Sequence, residues 1–119
     1  MSVRVAAIDM GSNAIRLIIA DIHQETQDIS LIEKRRAAVR LGHDVFTLGR
    51  ITPKTQDLAI DSLSRFIREM KKFKVKWHRA VATSALREEK NGSDFLARVE
   101  RELGLNVELI DGVQEASLI

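Results

Sequence analysis

The sequence contains no cysteine and only three histidines, and these shortages exclude several kinds of chemistry. Without cysteine, disulfides, thiolate metal sites and a cysteine nucleophile are all excluded. The histidines have none of the spacings that are typical of zinc ligands; they are His23, His43 and His78. We therefore expect neither a disulfide-stabilised domain nor a zinc enzyme.

A long apolar run is also missing. A membrane-spanning helix needs roughly 20 predominantly apolar residues, and the apolar stretch 14–20 is interrupted by Arg16. The apolar stretch at the N-terminus is too short for the core of a signal peptide, and Asp9 interrupts it. We expect a cytoplasmic protein that makes no membrane contact.

Neither sign of charge dominates the chain. The chain has 19 Lys and Arg residues and 17 Asp and Glu residues, which gives a formal net charge of +2. This balance permits a polyanionic ligand without arguing for one, and we expect no specific nucleic-acid partner. At 119 residues the chain forms one domain at most.

The first third of the sequence is typical of three strands joined by turns. Apolar strands are predicted over 3–9 and 14–22, and a more polar strand over 29–39. The segment 10–13 (Met-Gly-Ser-Asn) has the composition of a tight turn. We therefore predict a β-hairpin that continues into an antiparallel meander.

The rest of the sequence alternates helices with strands. Thr52 and Pro53 are typical of the N-cap and first position of a helix, and Gly104 is typical of a residue that ends one. The predicted elements are a loop over 40–50, a helix from Pro53 to about Phe73, a strand over 77–82, a loop around Asn91 and Gly92, a helix ending at Leu103, a strand over 106–110 and a helix from Gly112 onward. The order β-β-β-α-β-α-β-(α) favours parallel pairing of the later strands. The last helix looks interrupted, so we expect a fragment truncated at its C-terminal end.

The turn between the first two strands carries groups that suit an anion. Gly11 allows a ligand to approach the backbone closely, and successive N–H groups can form an anion-binding nest. Ser12 and Asn13 add side-chain donors, and Arg16 adds a positive charge. The same residues also make an ordinary tight turn. Asp9 either caps that turn or positions water or a hydrated Mg²⁺ near a phosphate.

Two further candidates follow predicted strands. Arg87 can hold a phosphate bidentately at the start of a helix, or it is a surface arginine paired with neighbouring glutamates. Glu115 is a candidate general base, because the dipole of the last helix favours its ionised form; otherwise it is an ordinary helix-start glutamate. The basic run 71–76 is either a solvated helix end or a track for a polyanion.

Three segments match, in order and spacing, the motifs of one known family. Residues 7–17 read Ala-Ile-Asp-Met-Gly-Ser-Asn-Ala-Ile-Arg-Leu, residues 79–91 contain Ala-Thr-Ser-Ala-Leu-Arg, and residues 111–116 read Asp-Gly-Val-Gln-Glu-Ala. These segments resemble the motifs of the exopolyphosphatase and guanosine-pentaphosphate phosphatase family, and residues 40–42 (Arg-Leu-Gly) also fit. The departures from the family pattern are Ala14, Lys90, Asp111 and Gln114.

The resemblance implies an α/β fold of the actin-like ATPase and sugar-kinase (ribonuclease H-like) class, with residues 1–119 as part of the N-terminal lobe. It also implies hydrolysis of the terminal phosphate of polyphosphate or guanosine pentaphosphate, with Mg²⁺ as cofactor and a homodimer of the whole protein. In that enzyme Glu115 would activate water, and Asp9 would contact the metal through water. The residues that would bind phosphate are Gly11, Ser12, Asn13, Arg16 and Arg87.

The main alternative is a regulator of the same fold that binds a nucleotide or alarmone without catalysis. Glu115 favours hydrolysis over that alternative, because a binding protein needs no base there. A kinase of the same superfold is disfavoured, since the first turn resembles the phosphatase pattern more than the kinase one. Because sites of this superfold lie between two lobes, we expect this chain alone to be inactive.

Overall fold

The computed structural model describes residues 1–82 and 90–110, which form one mixed sheet with helices. The elements are β1 Ser2–Met10, β2 Ile15–His23, β3 Ile29–Ala37, α1 Leu41–Leu48, α2 Pro53–Lys72, β4 Trp77–Ala82, α3 Lys90–Leu103 and β5 Val107–Leu109. None of the helices in these residues is long and apolar enough to cross a membrane.

The sheet has the strand order β3-β2-β1-β4-β5. The pairs β1–β2 and β2–β3 are antiparallel, whereas β4 pairs with β1 and β5 pairs with β4 in parallel. The predicted hairpin, meander and parallel later strands are therefore confirmed. Met10 at the end of β1 pairs with Ala82 at the end of β4, so both strands end beside the β1–β2 turn. We call this end of the sheet the turn end.

One face of the sheet is covered by α2 and α3 and forms the core. The strands contribute every second residue of β1 and β2, as the pleat requires, and the helices contribute the apolar stripes predicted from their periodicity. Fully burying one such side chain stabilises the fold by roughly 1.5–3 kcal/mol. The principal members of this core are Ile8, Met10, Ile15, Leu17, Ile19, Leu63, Phe66, Met70, Phe95 and Val99.

The other face, which we call the open face, is not covered by the described residues. Large apolar side chains are exposed on it: Ile18 to 40%, Ile29 to 71%, Leu31 to 61% and Trp77 to 64%. The strand register places all four on this face, because they lie in line with Val3, Val5 and Ala7 of β1 rather than with the buried residues Ala6 and Ile8. Trp77 is thus a surface residue of this chain.

The prediction of a loop over 40–50 is wrong for Leu41–Leu48, which form α1. Eight residues span barely two turns, so their apolar positions cannot establish a helical period. The helix buries Leu41 and ends at Gly49, whose φ of 70° lies in the left-handed region. Its formation depends on contacts with distant parts of the chain that no local pattern reveals.

The prediction of a loop around Asn91 and Gly92 is also wrong, since both residues lie in α3, which begins at Lys90. Gly92 is buried, so tertiary packing outweighs the poor helix propensity of glycine, which costs about 1 kcal/mol relative to alanine. The predicted C-terminal end is confirmed: Gly104 follows α3 with a φ of 68°.

Asp44 joins α1 to the start of α2. Its buried carboxylate accepts hydrogen bonds from the Thr52 backbone N–H at 3.1 Å and from the Thr52 hydroxyl at 2.9 Å. Thr52 is the N-cap of α2, as predicted, because its side chain accepts from the Thr55 N–H. Burial would raise the pKa of Asp44, but the hydrogen bonds from Thr55 and Thr52 hold that pKa below its ordinary value.

Replacing Asp44 by Asn should destabilise the fold by about 1–2 kcal/mol at neutral pH, because a charge-assisted acceptor is lost. Since the folded-state pKa is lowered, this stabilisation is present above the ordinary aspartate pKa of about 4 and is lost as the pH falls through the folded value. Urea unfolding from pH 3 to 7 should therefore show a difference in the free energy of unfolding between the two proteins, and this difference should become smaller in acid. Asp94→Asn, at an exposed site, is the control. A difference that stays constant with pH would contradict the role given to Asp44.

Candidate phosphate site at the turn end

The β1–β2 turn presents a short row of free backbone donors. The Gly11 N–H donates to the Ala14 carbonyl oxygen at 2.9 Å, which leaves Ser12 and Asn13 as an exposed two-residue tip. Within residues 1–82 and 90–110, the N–H groups of the exposed Ser12 and Asn13 donate to no protein acceptor. Two successive free N–H groups suit an anion, since backbone amides carry partial positive charge.

Gly11 provides space rather than an unusual backbone conformation. Its φ is not positive, unlike those of Gly49 and Gly104. A Cβ atom at this position would lie 3.4 Å from the Ala14 carbonyl oxygen and 3.8 Å from Nη1 of Arg16. The fold therefore has room for a methyl group here, and the space that glycine leaves open lies directly beside the Arg16 guanidinium.

Asp9 and Arg16 are direct cross-strand partners on the open face. The Asp9 side chain is partly buried, and its Oδ1 atom has no hydrogen-bond partner among the described residues. Burial raises the pKa of Asp9, and the positive charge of Arg16 opposes that rise. Arg16 is exposed and makes no hydrogen bond or ion pair within the described part of the chain. Both residues thus have unused capacity to bind a ligand.

The start of α1 contacts the β1–β2 turn. The Gly42 N–H donates to the Ser12 carbonyl oxygen at 2.9 Å. A Cβ atom at Gly42 would lie 2.5 Å from the Ser12 Cβ and 3.0 Å from the Ser12 Cα, which is closer than real atoms approach. Gly42 was not among the predicted site residues, although it belongs to the segment 40–42 that fits the family pattern. That fit was the available signal.

The structure brings together five of the seven predicted site residues: Asp9, Gly11, Ser12, Asn13 and Arg16. The other two, Arg87 and Glu115, lie outside the described residues. The strands that precede them both end at the turn end, because Ala82 pairs with Met10 and its carbonyl oxygen accepts from the Ile110 N–H at 3.0 Å. In the sequence, Arg87 follows the end of β4 by five positions, and Glu115 follows the end of β5 by six.

The basic run 71–76 lies at the opposite end of the sheet. Its last member, Lys76, donates its backbone N–H to the Arg4 carbonyl oxygen at 2.9 Å. Six strand residues separate this level of β1 from the turn, which corresponds to about 20 Å at roughly 3.3 Å per residue. A ligand bound at the turn would not contact this run, so the solvated helix end is the better interpretation.

A magnesium ion is compatible with the residues at the turn end but would obtain few ligands from them. The described residues contain no cluster of three or more His, Asp and Glu side chains. Asp9 is one carboxylate, and its buried oxygen has no partner in the described part of the chain. Mg²⁺ commonly keeps several waters and takes one or two carboxylates together with substrate phosphates, and this pattern fits Asp9.

Two glycine substitutions should distinguish the role of Gly11, which leaves space for a ligand, from that of Gly42, which lets α1 contact the turn. Gly11→Ala should change the free energy of unfolding by less than about 1 kcal/mol but weaken tripolyphosphate binding about tenfold, the cost of about one charge-assisted hydrogen bond. Gly42→Ala should lower the free energy of unfolding by about 1–3 kcal/mol, because its Cβ would overlap Ser12. Urea unfolding and isothermal titration of both variants test this. The assignment fails if Gly42→Ala is as stable as the unsubstituted protein.

Asp9→Asn should not lower the unfolding temperature of the unliganded protein at pH 7. Because burial raises the folded-state pKa of Asp9, its ionised form disfavours folding at neutral pH, and this penalty disappears as the pH falls below that pKa. The contrasting variant is Asp21→Asn, since the Arg4 side chain hydrogen-bonds to Asp21 and lowers its pKa. At pH 7, the unfolding temperature should fall for Asp21→Asn but not for Asp9→Asn. An equal fall for Asp9→Asn would indicate that Asp9 has a structural role.

Comparison with known proteins shows the family to which the chain is similar. The profile of the Ppx/GppA phosphatase family matches residues 18–119. Exopolyphosphatase 2 of Mycobacterium tuberculosis is 34% identical over 122 aligned positions, which cover 97% of this chain and 38% of that protein. Exopolyphosphatase 1 of the same organism is 29% identical over 115 positions, covering 97% of this chain and 33% of that protein. The chain thus spans about a third of the length of these curated relatives.

Solved structures show the same fold. A Ppx/GppA family member from Aquifex aeolicus superposes with a TM-score of 0.90 at 40% identity, covering 97% of this chain and 37% of that one. An exopolyphosphatase from Cytophaga hutchinsonii gives a TM-score of 0.86 at 35% identity, covering 98% and 36%. The five-stranded sheet matches the first domain of Ppx/GppA structures, which have the actin-like fold. The chain belongs to the Ppx/GppA phosphatase family.

Proposed function

We propose that this chain is part of the first lobe of an enzyme that hydrolyses the terminal phosphate of polyphosphate or guanosine pentaphosphate. The observation that supports this most is the β1–β2 turn, where the N–H groups of Ser12 and Asn13 and the nearby Arg16 side chain have no partner among the described residues. Membership of a phosphatase family gives this anion site its chemical context. A terminal phosphate group has the charge and the acceptor oxygens that such a turn can bind.

In this proposal the turn holds the terminal phosphate while water attacks it. The backbone donors of Ser12 and Asn13, with the guanidinium groups of Arg16 and Arg87, bind the non-bridging oxygens and stabilise the charge that they carry in the transition state. Gly11 leaves the space that the phosphate occupies. Because the β1–β2 pairing holds the backbone of the turn, its N–H donors need little reorganisation when a ligand binds.

Glu115 is the proposed general base. It accepts a proton from water as the water oxygen bonds to the terminal phosphorus and the bridging P–O bond breaks. The products are orthophosphate and a chain shorter by one phosphate unit. A Mg²⁺ ion, contacted by Asp9 through water, would neutralise charge on the phosphates when bound. Gln114 cannot take the role of base, since an amide does not accept a proton at neutral pH.

The alternative of a non-catalytic regulator that binds a nucleotide or alarmone uses the same turn. The turn end alone does not separate the two, because binding and hydrolysis both require an anion site. Glu115 favours hydrolysis, since a protein that only binds its ligand needs no general base there. A cytoplasmic location, a homodimer of the whole protein and inactivity of residues 1–119 alone remain predictions.

The deciding measurement is phosphate release by the complete protein that contains this chain, with long-chain polyphosphate and with guanosine pentaphosphate. Glu115→Gln should lower kcat about 10²–10⁴-fold, as expected for loss of a general base. Binding of the substrate, measured by equilibrium titration, should persist in that variant. The control is Glu100→Gln at an exposed position of α3.

The outcomes of this measurement are distinct. Unchanged kcat in Glu115→Gln would remove Glu115 from the mechanism. Tight binding without any phosphate release by the unsubstituted protein would favour the regulator. The substrate with the higher kcat/KM would identify the natural one.

A further inference from the structure

The open face carries a second unpaired arginine next to the candidate site. Asp9 of β1, Arg16 of β2 and Arg36 of β3 form one continuous row across three strands, since Asp9 pairs with Arg16 and Arg16 pairs with Arg36. Cross-strand partners point to the same face of a sheet, with Cα atoms about 4.5–5.5 Å apart. Both arginines are exposed. Lys34 lies two residues before Arg36 and projects from the same face.

The other arginines of the sheet all have acidic partners. Arg4 hydrogen-bonds to Asp21, Arg79 to Glu108 and Arg35 to Glu33. Within residues 1–82 and 90–110, neither Arg16 nor Arg36 forms a hydrogen bond or ion pair with a protein group. The two unpaired arginines of the sheet are therefore the two that face each other beside the β1–β2 turn.

An arrangement of this kind is unfavourable without a ligand. Like charges directly opposite each other on neighbouring strands are destabilising, and no described carboxylate lies between Arg16 and Arg36. Glu108, which also lies on the open face, is already bound by Arg79. The Asp9 carboxylate is on the far side of Arg16, in the next strand. An anion placed over both guanidinium groups would relieve the repulsion and accept hydrogen bonds from each.

We propose that Arg36 binds the second phosphate group of a condensed phosphate whose terminal phosphate lies at the β1–β2 turn. This inference rests on the proposed function and assigns the direction in which the ligand runs: from the turn, past Arg16, toward the edge strand β3. A single orthophosphate needs only the turn and Arg16. The second cation, one strand further out, contributes only when a second phosphate is attached.

The chemistry recognised is a row of adjacent phosphates, which both linear polyphosphate and a nucleotide polyphosphate supply. Arg36 is a binding residue in this assignment and takes no part in proton transfer. Lys34 lies on the same strand two residues away and extends the positive surface along β3. A longer chain of phosphates therefore meets further positive charge, and a single phosphate does not.

The test compares ligand binding to the complete protein carrying Arg36→Gln, Arg16→Gln or the control Arg101→Gln. Arg101 is an exposed arginine of α3 and lies near the opposite end of the sheet. Isothermal titration with tripolyphosphate should show about a tenfold loss of affinity for Arg36→Gln, the effect of losing about one charge-assisted contact. Orthophosphate affinity should fall less than about twofold in this variant, because that ligand does not reach β3. Arg16→Gln should weaken both ligands, and Arg101→Gln neither.

Thermal unfolding supplies a readout that does not depend on activity. Without ligand, Arg36→Gln should unfold at the same temperature as the unsubstituted protein or higher, since a like-charge pair is removed. With tripolyphosphate, its increase in unfolding temperature should be smaller. Equal losses of orthophosphate and tripolyphosphate affinity in Arg36→Gln, or no loss of either, would overturn the assignment.

Steady-state kinetics distinguish the two sources of the phosphate row. If Arg36→Gln raises the KM for polyphosphate alone, Arg36 contacts the linear chain. If it raises the KM for guanosine pentaphosphate as well, Arg36 contacts a part that both ligands share. Failure of the proposed function is separately visible: the unsubstituted protein would release no phosphate, while Arg36-dependent binding of tripolyphosphate would persist.

Discussion

The alternation of side chains along the β1–β2 hairpin determines both the core and the candidate site. Because successive strand residues point to opposite faces, burying Ile8 and Met10 beneath the helices places Asp9 on the open face. In the same way, burying Ile15 and Leu17 places Arg16 opposite Asp9. A shift of one residue would exchange the two faces and expose the core. The apolar burial that stabilises the sheet therefore also fixes the register of its charged row.

The turn itself is held by a chain of contacts that begins outside the hairpin. Asp44, in the first turn of α1, binds the N-cap of α2, and this contact fixes α1 relative to the long helix that covers the core. The start of α1 in turn contacts the turn through Gly42 and the Ser12 carbonyl oxygen. That contact occupies the Ser12 carbonyl oxygen, whereas the N–H groups of Ser12 and Asn13 have no acceptor among the described residues.

Local patterns predicted what depends on local physics. The strands of the hairpin, Thr52 as a cap and Gly104 as a helix end follow from alternation and backbone preferences. Helix α1 and the first turn of α3 escaped prediction because both depend on packing against distant segments. At the site, the row of residues around the turn was predictable from the motif. Arg36 was not, since its position opposite Arg16 follows from the β2–β3 register, which includes a shift at Ile19 and Ala20.

The charged residues of this row have few partners within the described part of the chain. Among the described residues, the buried oxygen of Asp9 has no partner, and no carboxylate lies between Arg16 and Arg36. Each feature lowers the stability of the fold. Arg4 and Asp21 on the same hairpin form an ion pair, so this sheet can pair opposite charges between its strands. A fold selected for stability alone would pair these charges. Unpaired charge concentrated at one end of the sheet is the expected arrangement when a ligand completes the network, because interactions already made within the protein could not be used again in binding.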